Sequence, residues 1–421
     1  MTLNLLQLAQ VGIGTRSSGV QIRNYYLAKQ LAQVSKVMHL GFADDGNTVE
    51  SDSIEGIRIR LMPRERAYTV AKLARAALSR TPVTLFNFYN RAMAAALRSE
   101  LATSHYDTVL IEGVEMAAYV PVLQAMRNRI RRLVLDWHNI ESELVERHSH
   151  YAATPFHRIF MEHTSRQLRR VEDDLLGSCD LHLVTSERER SSLLRRRPGA
   201  NVVVLENGVD SRHYAPADEE IHEHDRWFAR HRVVFVASMD YSANVEAVEY
   251  FAREAWPALH SSLPHLVFTL VGRNPPQRIR ELGKRPGIEV TGTVSDVRPY
   301  YREAIAAVVP IRVAGGTRLK ILEAMAAGVP VVSTRLGAEG LRIEPELHFM
   351  LADNPIDFCL QIERLAGDFS LWGRVSGAGR RLVETTYDWK ILGANLIQNY
   401  FSLFEPHAMS DQRNSCPAHL V

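Results

Sequence analysis

Short runs of apolar, mostly β-branched residues recur along the chain, and stretches with helical periodicity separate them. Continuous apolar runs of this kind indicate strands buried on both faces, as in parallel sheets covered by helices. In the first half, the pattern predicts a helix from Val20 to Ala32. Strands are predicted there at Leu3–Ala9, Thr108–Glu112, Leu133–Asp136, Leu181–Thr185 and Val202–Leu205.

The same alternation starts again after residue 230. A helix is predicted from Asn244 to Leu259, and another opens at Gly315-Gly316 and runs to Ala327. Strands are predicted at Val233–Ala237, Leu266–Val271, Ile288–Thr291, Ala306–Pro310 and Val329–Ser333. The chain is therefore expected to form two successive α/β units with parallel sheets.

A length of 421 residues exceeds that of one compact domain. We predict an N-terminal Rossmann-like domain over residues 1–206 and a second one over 207–385, with a hinge near 207–217. A helix in 386–404 is expected to cross back to the first domain, and the polar tail 405–421 is expected to be disordered. Open parallel sheets bind ligands at the carboxyl ends of their strands, so a cleft between the two domains is the expected site.

Composition excludes several classes of protein. Fifty Lys and Arg against 48 Asp and Glu leave a formal charge of +2, which does not favour a nucleic-acid partner. Cys179, Cys359 and Cys416 are too few and too far apart for a disulfide framework or a cysteine-rich metal site. The apolar stretch Ile321–Val332 is too short and too interrupted to span a bilayer. We expect a cytoplasmic protein, and a peripheral contact with the inner face of the membrane stays open.

The richest chemistry lies after the predicted strand Ala306–Pro310. Gly315 and Gly316 let the backbone approach a ligand, and the amides of Thr317–Leu319 at the helix start can bind an anion. Arg318 and Lys320 add positive charge there. Glu323, one turn later, could accept hydrogen bonds from both hydroxyls of a ribose. The alternative is a glycine-rich turn followed by a Lys320–Glu323 pair three residues apart on the helix.

A resemblance becomes specific at this segment. GGTRLKILEAMAAGVPVVST, followed by AEGL at 338–341, resembles the donor-binding segment of family 4 (group 1) glycosyltransferases, which have the GT-B fold of two Rossmann-like domains facing a central cleft. Other pieces agree in the same order along about residues 5–404. They are the Gly12–Gly19 loop, DWHN at 136–139, ENGVD at 206–210, SMDYSAN at 238–244, LVGRN at 270–274 and GTVSD at 292–296.

The resemblance implies retaining transfer of a sugar from a nucleoside diphosphate donor, with no metal and no further cofactor. The donor would lie mainly on the second domain and the acceptor on the first. Glu323 would bind the ribose, the Thr317–Leu319 amides the diphosphate, and Thr293 and Val294 would lie by the base. The loop that ends at Gly19 would approach the donor sugar as the cleft closes.

His138 follows a strand end, and the resemblance implies that it touches the donor sugar as a neutral hydrogen-bonding group. The alternative is a histidine that satisfies a buried backbone carbonyl. The Gly12, Gly14 and Gly19 spacing gives only weak support for NAD binding.

Two departures from the family pattern concern the donor site. Gly315 stands where many members have a first glutamate that contacts the donor sugar. The Ser238–Asn244 loop lacks the cations that many members place there, although a leaving diphosphate needs positive charge. We infer that Arg273 and Arg318 have taken over this role, with Lys320 next in line. A solvated helix charge is the alternative for Arg318 or Lys320.

Basic residues also cluster in the first half, either as a solvated face or as a contact for anionic lipid headgroups. They are Arg58, Arg60, Arg64, Arg66, Lys72, Arg75, Arg80, Arg127, Arg129, Arg131 and Arg132. A glycan or lipid-linked acceptor, in polysaccharide or glycoconjugate biosynthesis, fits the resemblance. The rival hypotheses are a nucleotide-sugar epimerase of the same fold and a catalytically silent binding protein.

Overall fold

The computed structural model of the chain describes residues 3–14, 18–43, 49–64, 68–150, 154–216, 223–313 and 319–404. Within these residues the chain forms two α/β units, each built on one open sheet with helices on both faces. The two doubly wound units confirm the predicted fold class.

The first sheet has the strand order β3-β4-β2-β1-β5-β6-β7-β8. All its pairs are parallel except the edge pair β3–β4, which is antiparallel. Its strands are β1 (Leu3–Leu8), β2 (Ser35–Phe42), β3 (Val49–Ile54), β4 (Ile57–Met62), β5 (Tyr106–Glu112), β6 (Ile130–Asp136), β7 (Leu181–Val184) and β8 (Val202–Val204). Its helices are α1 (Gly19–Leu31), α2 (Val70–Leu78), α3 (Val83–Phe88), α4 (Arg91–Thr103), α5 (Val120–Ala125), α6 (Glu141–Ser149), α7 (Pro155–Ser178) and α8 (Glu187–Arg196).

The second sheet has the order β11-β10-β9-β12-β13-β14, with all pairs parallel. Its strands are β9 (Arg232–Val236), β10 (Val267–Val271), β11 (Ile288–Gly292), β12 (Ala304–Val309), β13 (Val331–Ser333) and β14 (Met350–Leu351). The helices are α9 (Glu223–Phe228), α10 (Ser242–Tyr250), α11 (Trp256–Ser262), α12 (Gln277–Arg280), α13 (Arg298–Arg302), α14 (Leu319–Ala326), α15 (Pro355–Gly367), α16 (Phe369–Leu382) and α17 (Trp389–Phe404).

Helix α17 packs on the first domain although it follows the second one in the chain. The Trp389 ring stacks on Tyr26 of α1, with ring centroids 5.1 Å apart and planes 7° apart. Leu392 and Leu396 are buried in the same apolar cluster as Leu27. The burial of these apolar side chains holds the end of the described chain against the first sheet.

The first half contains three strands that the sequence pattern did not predict, β2, β3 and β4. In the second half, the helix predicted as one element over residues 244–259 is two helices joined by a π-helical turn at Phe251–Ala255. The predicted tail from residue 405 lies outside the described residues. Among those residues, no helix combines the length and apolarity needed to cross a membrane.

Candidate active site

In each sheet the strand order reverses at one strand, and the carboxyl ends of the strands on its two sides border a crevice. In the first sheet β1 lies between β2 and β5, and in the second β9 lies between β10 and β12. The crevice at such a reversal point is where open α/β sheets bind ligands. Gln10 and Glu112 lie at the first crevice, and the Ser238–Asn244 loop begins at the second.

A buried ion pair joins α1 to the end of β6. Arg23 donates from Nε to Asp136 Oδ2 at 2.6 Å and from Nη2 to Oδ1 at 2.7 Å. The two side chains are 2% and 0% exposed. Arg23 Nη1 also donates to Asn207 Oδ1 at 2.9 Å, where the chain leaves the first domain. Although burial opposes ionisation, the Arg23 charge holds the pKa of Asp136 below its usual value.

His138 is fixed through both ring nitrogens. Nε2 lies 2.9 Å from Glu112 Oε2, and Nδ1 lies 3.1 Å from Gln10 Nε2. Burial alone would lower the pKa of His138, but Glu112 and the charge of Asp136 outweigh it and hold that pKa above its usual value. Both ring nitrogens already face protein groups, and the contact of His138 with the donor sugar stays a prediction. The alternative, a bond to a backbone carbonyl, does not describe these contacts.

The Glu112 carboxylate continues this network into the sheet. Its Oε1 accepts a hydrogen bond from Gln7 Nε2 at 2.6 Å, and Gln7 Oε1 lies 2.8 Å from His39 Nδ1. Burial, followed by the charge of Asp136, raises the pKa of Glu112. Gln7, Arg23 and Glu112 received no role from the sequence. The signal for Gln7 and Glu112 was a polar or charged side chain in a mostly apolar strand, whereas Arg23 lies among other polar residues of α1 and gave none.

Glu112, Asp136 and His138 bring ligand atoms within 4.8 Å of one another, a grouping that could hold a metal ion. Both oxygens of Asp136, however, already accept hydrogen bonds from the Arg23 guanidinium. A metal ion at this point would lie against that positive charge. The geometry therefore fits an internal ion-pair network better than a metal centre.

Glu141, at the start of α6, is a second acid near this network. Burial and then the charge of Glu115 raise the pKa of Glu141 to about 8, so its carboxyl group is largely protonated at neutral pH. Asn139 Nδ2 donates to its Oε1 at 3.2 Å. This side of the cleft thus offers a neutral hydrogen-bonding group that the sequence did not reveal.

Arg273, at the end of β10, lies against the loop that lacks a cation. Its Nε donates to Ser238 Oγ at 3.2 Å, and it also lies 3.5 Å from Asp240 Oδ2. Gly272 makes this possible, because a Cβ there would lie 1.7 Å from the Ala237 carbonyl oxygen. The ends of β9 and β10 therefore approach each other closely, and the Arg273 guanidinium lies next to Ser238.

Lys320, in the first turn of α14, reaches the other end of the same loop. Its Nζ donates to Asn244 Oδ1 at 2.7 Å and lies 4.4 Å from the centroid of the Phe235 ring. Asn244 Nδ2 in turn donates to the Ser238 carbonyl at 2.7 Å. The alternative of a simple Lys320–Glu323 pair does not describe this contact, because the ammonium group hydrogen-bonds to Asn244, although its charge also acts on Glu323.

Glu323 lies one turn further along α14 and is held by two phenols. The hydroxyls of Tyr214 and Tyr301 both hydrogen-bond to its carboxylate. Burial raises the pKa of Glu323, and these two hydrogen bonds act in the opposite direction. Two donors leave lone pairs of the carboxylate available to further hydroxyl groups. Neither tyrosine was singled out from the sequence, and Tyr301 is fully buried.

The segment predicted to lie by the base follows β11 directly. Gly292 has a φ of +72°, a conformation that turns the chain sharply and favours glycine. Thr293 is exposed and Val294 is partly exposed. Thr293 borders a groove of about 670 Å³ that Asn274 also lines, so the segment is open to a ligand.

The two domains meet beside the start of α14. A Cβ on Gly19, the first residue of α1, would lie 3.1 Å from Leu319 Cδ1. Further along the interface, Arg147 Nη1 lies 2.9 Å from Glu339 Oε2, and the rings of His148 and Tyr241 are 6.0 Å apart. The cleft is thus bridged by contacts from both sides. Gly315, Gly316, Thr317 and Arg318 lie outside the described residues, so their predicted roles stay predictions.

Comparison with solved structures shows the class of fold. Sucrose-phosphate synthase from Thermosynechococcus elongatus aligns with a TM-score of 0.71 and 18% identity, over 95% of this chain and 99% of that one. Anabaena Alr3699/HepE in complex with UDP aligns at 0.64 and 14%, over 95% and 100%. α,α-Trehalose 6-phosphate synthase from Burkholderia multivorans aligns at 0.64 and 14%, over 96% and 99%. The chain therefore has the GT-B fold.

A family match adds to the fold. Residues 230–368 match the family model described as glycosyl transferases group 1. This segment contains the Ser238–Asn244 loop, Arg273, Lys320 and Glu323. The resemblance predicted from the sequence is thereby confirmed. No curated protein matches the chain significantly.

Proposed function

We propose that the protein transfers a glycosyl group from a nucleoside diphosphate sugar to an acceptor hydroxyl. The observation that carries the proposal is the position of Glu323. This residue lies on α14, within the segment that matches the family model, and two tyrosine hydroxyls hold its carboxylate. A carboxylate held in this way is suited to accept both hydroxyls of a ribose. The UDP complex of the Anabaena protein with the same fold supports a nucleotide donor.

The diphosphate would lie between the Ser238–Asn244 loop and the start of α14. Arg273 and Lys320 border that loop from its two ends, at Ser238 and at Asn244. As the glycosidic bond breaks, negative charge develops on the leaving diphosphate, and fixed cations lower the energy of that state. Arg318 is proposed to add to this charge.

We propose that the transfer retains configuration and needs no metal. The acceptor oxygen attacks the anomeric carbon, the bond from that carbon to the phosphate oxygen breaks, and the acceptor proton passes to the leaving phosphate. The contacts of Asp136 and Glu112 support this route. Asp136 is paired with Arg23 and Glu112 with His138, so neither carboxylate is placed as a free base for the acceptor proton. His138, with its neighbour Gln10, would form the wall beside the donor sugar.

The proposed setting is glycoconjugate or polysaccharide biosynthesis in the cytoplasm, with a glycan or lipid-linked acceptor on the first domain. A nucleotide-sugar epimerase would either release nucleotide in the absence of an acceptor or release no nucleotide. A silent binding protein would bind the donor without turnover.

Two experiments in sequence separate these hypotheses. Thermal unfolding with UDP, GDP, ADP and their sugars first identifies the donor, since a ligand at about 100 times its dissociation constant adds about 2.7 kcal/mol to stability. Release of nucleoside diphosphate is then followed with and without a panel of acceptors. Acceptor-dependent release is expected. Stabilisation by none of the nucleotides would contradict the proposal.

A further inference from the structure

Helix α2 turns its apolar residues toward solvent. Five apolar residues at the spacing of one helix face are all exposed, namely Val70, Ala71, Ala74, Ala77 and Leu78. Val70 is 83% and Leu78 91% exposed. Amphipathic helices normally pack such a stripe onto the core, whereas here Leu73 and Ala76 alone face inward. We call the five residues the α2 stripe.

The helix is held firmly in this orientation. Gln167 Nε2 of α7 donates to the carbonyls of Ala76 and Ser79 at 2.8 and 2.7 Å. At the other end, the Tyr68 amide donates to Asn87 Oδ1 of α3 at 3.0 Å. Both ends of α2 are therefore anchored by hydrogen bonds to neighbouring helices, and the outward stripe is part of the fold.

The sequence on and around α2 is rich in positive charge. Residues 64–91 contain six basic residues and one acidic residue. The Arg75 guanidinium lies 4.5 Å from the Phe86 ring centroid, and that of Arg64 lies 4.5 Å from Phe88. Lys72 and Arg75 belong to α2 itself, so the helix that exposes the stripe also carries two cations. An apolar face flanked by cations matches the chemistry of an anionic bilayer surface.

The position of α2 also separates it from the other basic cluster. Helix α3, which follows α2, leads to Tyr89, whose ring stacks 6.0 Å from Tyr119 after the carboxyl end of β5. Arg127 and Arg129 instead precede the amino end of the parallel strand β6, at the opposite edge of the sheet. Arg127 is paired there with Asp180. These described basic residues therefore do not form one face: the group around α2 lies at the cleft end, and Arg127 and Arg129 lie at the other end of the sheet.

Helix α7 extends the apolar surface. Its exposed first turns carry Phe156 and Ile159, which are 82% and 63% exposed. Gln167, whose side chain contacts α2, lies eleven residues after Phe156 on the same helix. At a rise of 1.5 Å per residue, the two positions are about 16 Å apart along the axis of α7. Single exposed apolar residues are ordinary, but two neighbouring helices that both expose large apolar side chains mark an interaction surface.

We propose that the α2 stripe docks the protein on an anionic lipid bilayer, with α2 lying in the plane of the headgroups. The cations beside the stripe would contact lipid phosphates while Val70 and Leu78 enter the acyl boundary. The docked surface would lie at the same end of the first domain as the cleft. This proposal goes beyond the transfer reaction and does not depend on it.

Vesicle sedimentation of the full chain tests the proposal. Binding is expected to phosphatidylcholine vesicles with about one-third phosphatidylglycerol, and much less to pure phosphatidylcholine. Val70→Ser with Leu78→Ser should lower the partition coefficient at least about tenfold, since binding scales with buried apolar area. Ile356→Ser with Leu360→Ser on α15 is the matched control, because Ile356 is 78% and Leu360 51% exposed. The control should bind like the wild type.

The remaining measurements decide what covers the stripe. Salt at about 0.5 M should weaken binding, since it screens exposed charges. Nucleotide affinity of the Val70→Ser, Leu78→Ser variant, measured by calorimetry, should be unchanged. The proposal is wrong if the wild type ignores anionic vesicles, binds neutral ones equally, or is unaffected by the two serines. If ultracentrifugation shows a dimer that the serines dissociate and vesicles do not bind, the stripe joins two copies of the chain.

Discussion

Replacing Glu323 by glutamine tests the donor site most directly. Glu323 accepts hydrogen bonds from Tyr214 and Tyr301, and burial raises its pKa. A glutamine keeps one carbonyl oxygen that can still accept from a tyrosine, so the packing of α14 should persist. What it loses is the negative charge and half of the acceptor capacity that a ribose would use.

The expected loss follows from that difference. One charge-assisted hydrogen bond contributes about 1.5–3 kcal/mol, which corresponds to about a 10- to 150-fold rise in the nucleotide dissociation constant. Isothermal calorimetry with the best-binding nucleoside diphosphate measures it. Because the pKa of Glu323 in the folded protein is raised, its carboxylate becomes protonated at a higher pH than an ordinary glutamate does. On acidification, the nucleotide affinity of the wild type should therefore begin to fall at that higher pH, and the variant should lack this pH dependence.

A purely structural role of Glu323 would give a different result. Tyr214 belongs to the segment between the domains, so the carboxylate could serve only to tie that segment to α13 and α14. In that case Glu323→Gln would lower the melting temperature and leave nucleotide affinity unchanged, which would refute the ribose assignment. Glu363→Gln, on α15 with a bond to Ser262, is the matched control and should change neither quantity.

Four further outcomes are expected. Addition of a chelator should leave activity intact, and strict dependence on Mn²⁺ or Mg²⁺ would contradict the metal-free proposal. Arg273→Ala should lower turnover about 10²–10³-fold with a smaller effect on the Michaelis constant, and adding Ser238→Arg should restore part of it; unchanged turnover would place the charge elsewhere. Asp136→Asn should cost about 3–5 kcal/mol in urea unfolding, because it leaves a buried guanidinium without its carboxylate, whereas Glu162→Gln in an exposed pair should cost under about 0.5 kcal/mol. Burial lowers the pKa of His182 to about 4, so between pH 6.5 and pH 4 the histidine is protonated in the unfolded chain but not in the folded one. As the pH falls through this range, the free energy of unfolding of the wild type should therefore decrease by about 3 kcal/mol more than that of His182→Gln.

Many of the strands that the sequence predicted are buried on both faces, as β12 is. Continuous apolar runs such as Leu133–Asp136 are visible in the sequence because nothing polar interrupts them. The strands β2 and β4 were missed because they alternate or mix apolar and polar residues, as in Ile57–Met62, where Arg58 and Arg60 alternate with the buried Ile57 and Ile59. Strands toward the edge of a sheet need only one apolar face, and the arginines there were interpreted as a basic cluster instead.

The site was predictable only where it is local in sequence. The segment from Leu319 to Glu323 forms a helix on which the candidate residues Lys320 and Glu323 are about one turn apart, and its motif is readable without a structure. The partners of those residues are distant: Tyr214 and Asn244 come from other elements, and Arg23 is 113 residues from Asp136. No periodic pattern encodes such pairs, since the sheet topology alone brings them together.

The loop without a cation shows how topology can replace a missing side chain. Ser238 follows β9, the strand that lies between β10 and β12. The neighbours of β9 therefore deliver their own strand-end residues to that loop. Arg273 arrives from β10 and bonds to Ser238 Oγ, and Lys320 arrives from the helix after β12 and bonds to Asn244. A cation lost from the loop itself can thus be supplied by either adjacent strand without any change in fold. The positive charge of the proposed donor site accordingly comes from two residues, Arg273 after β10 and Lys320 on the helix after β12.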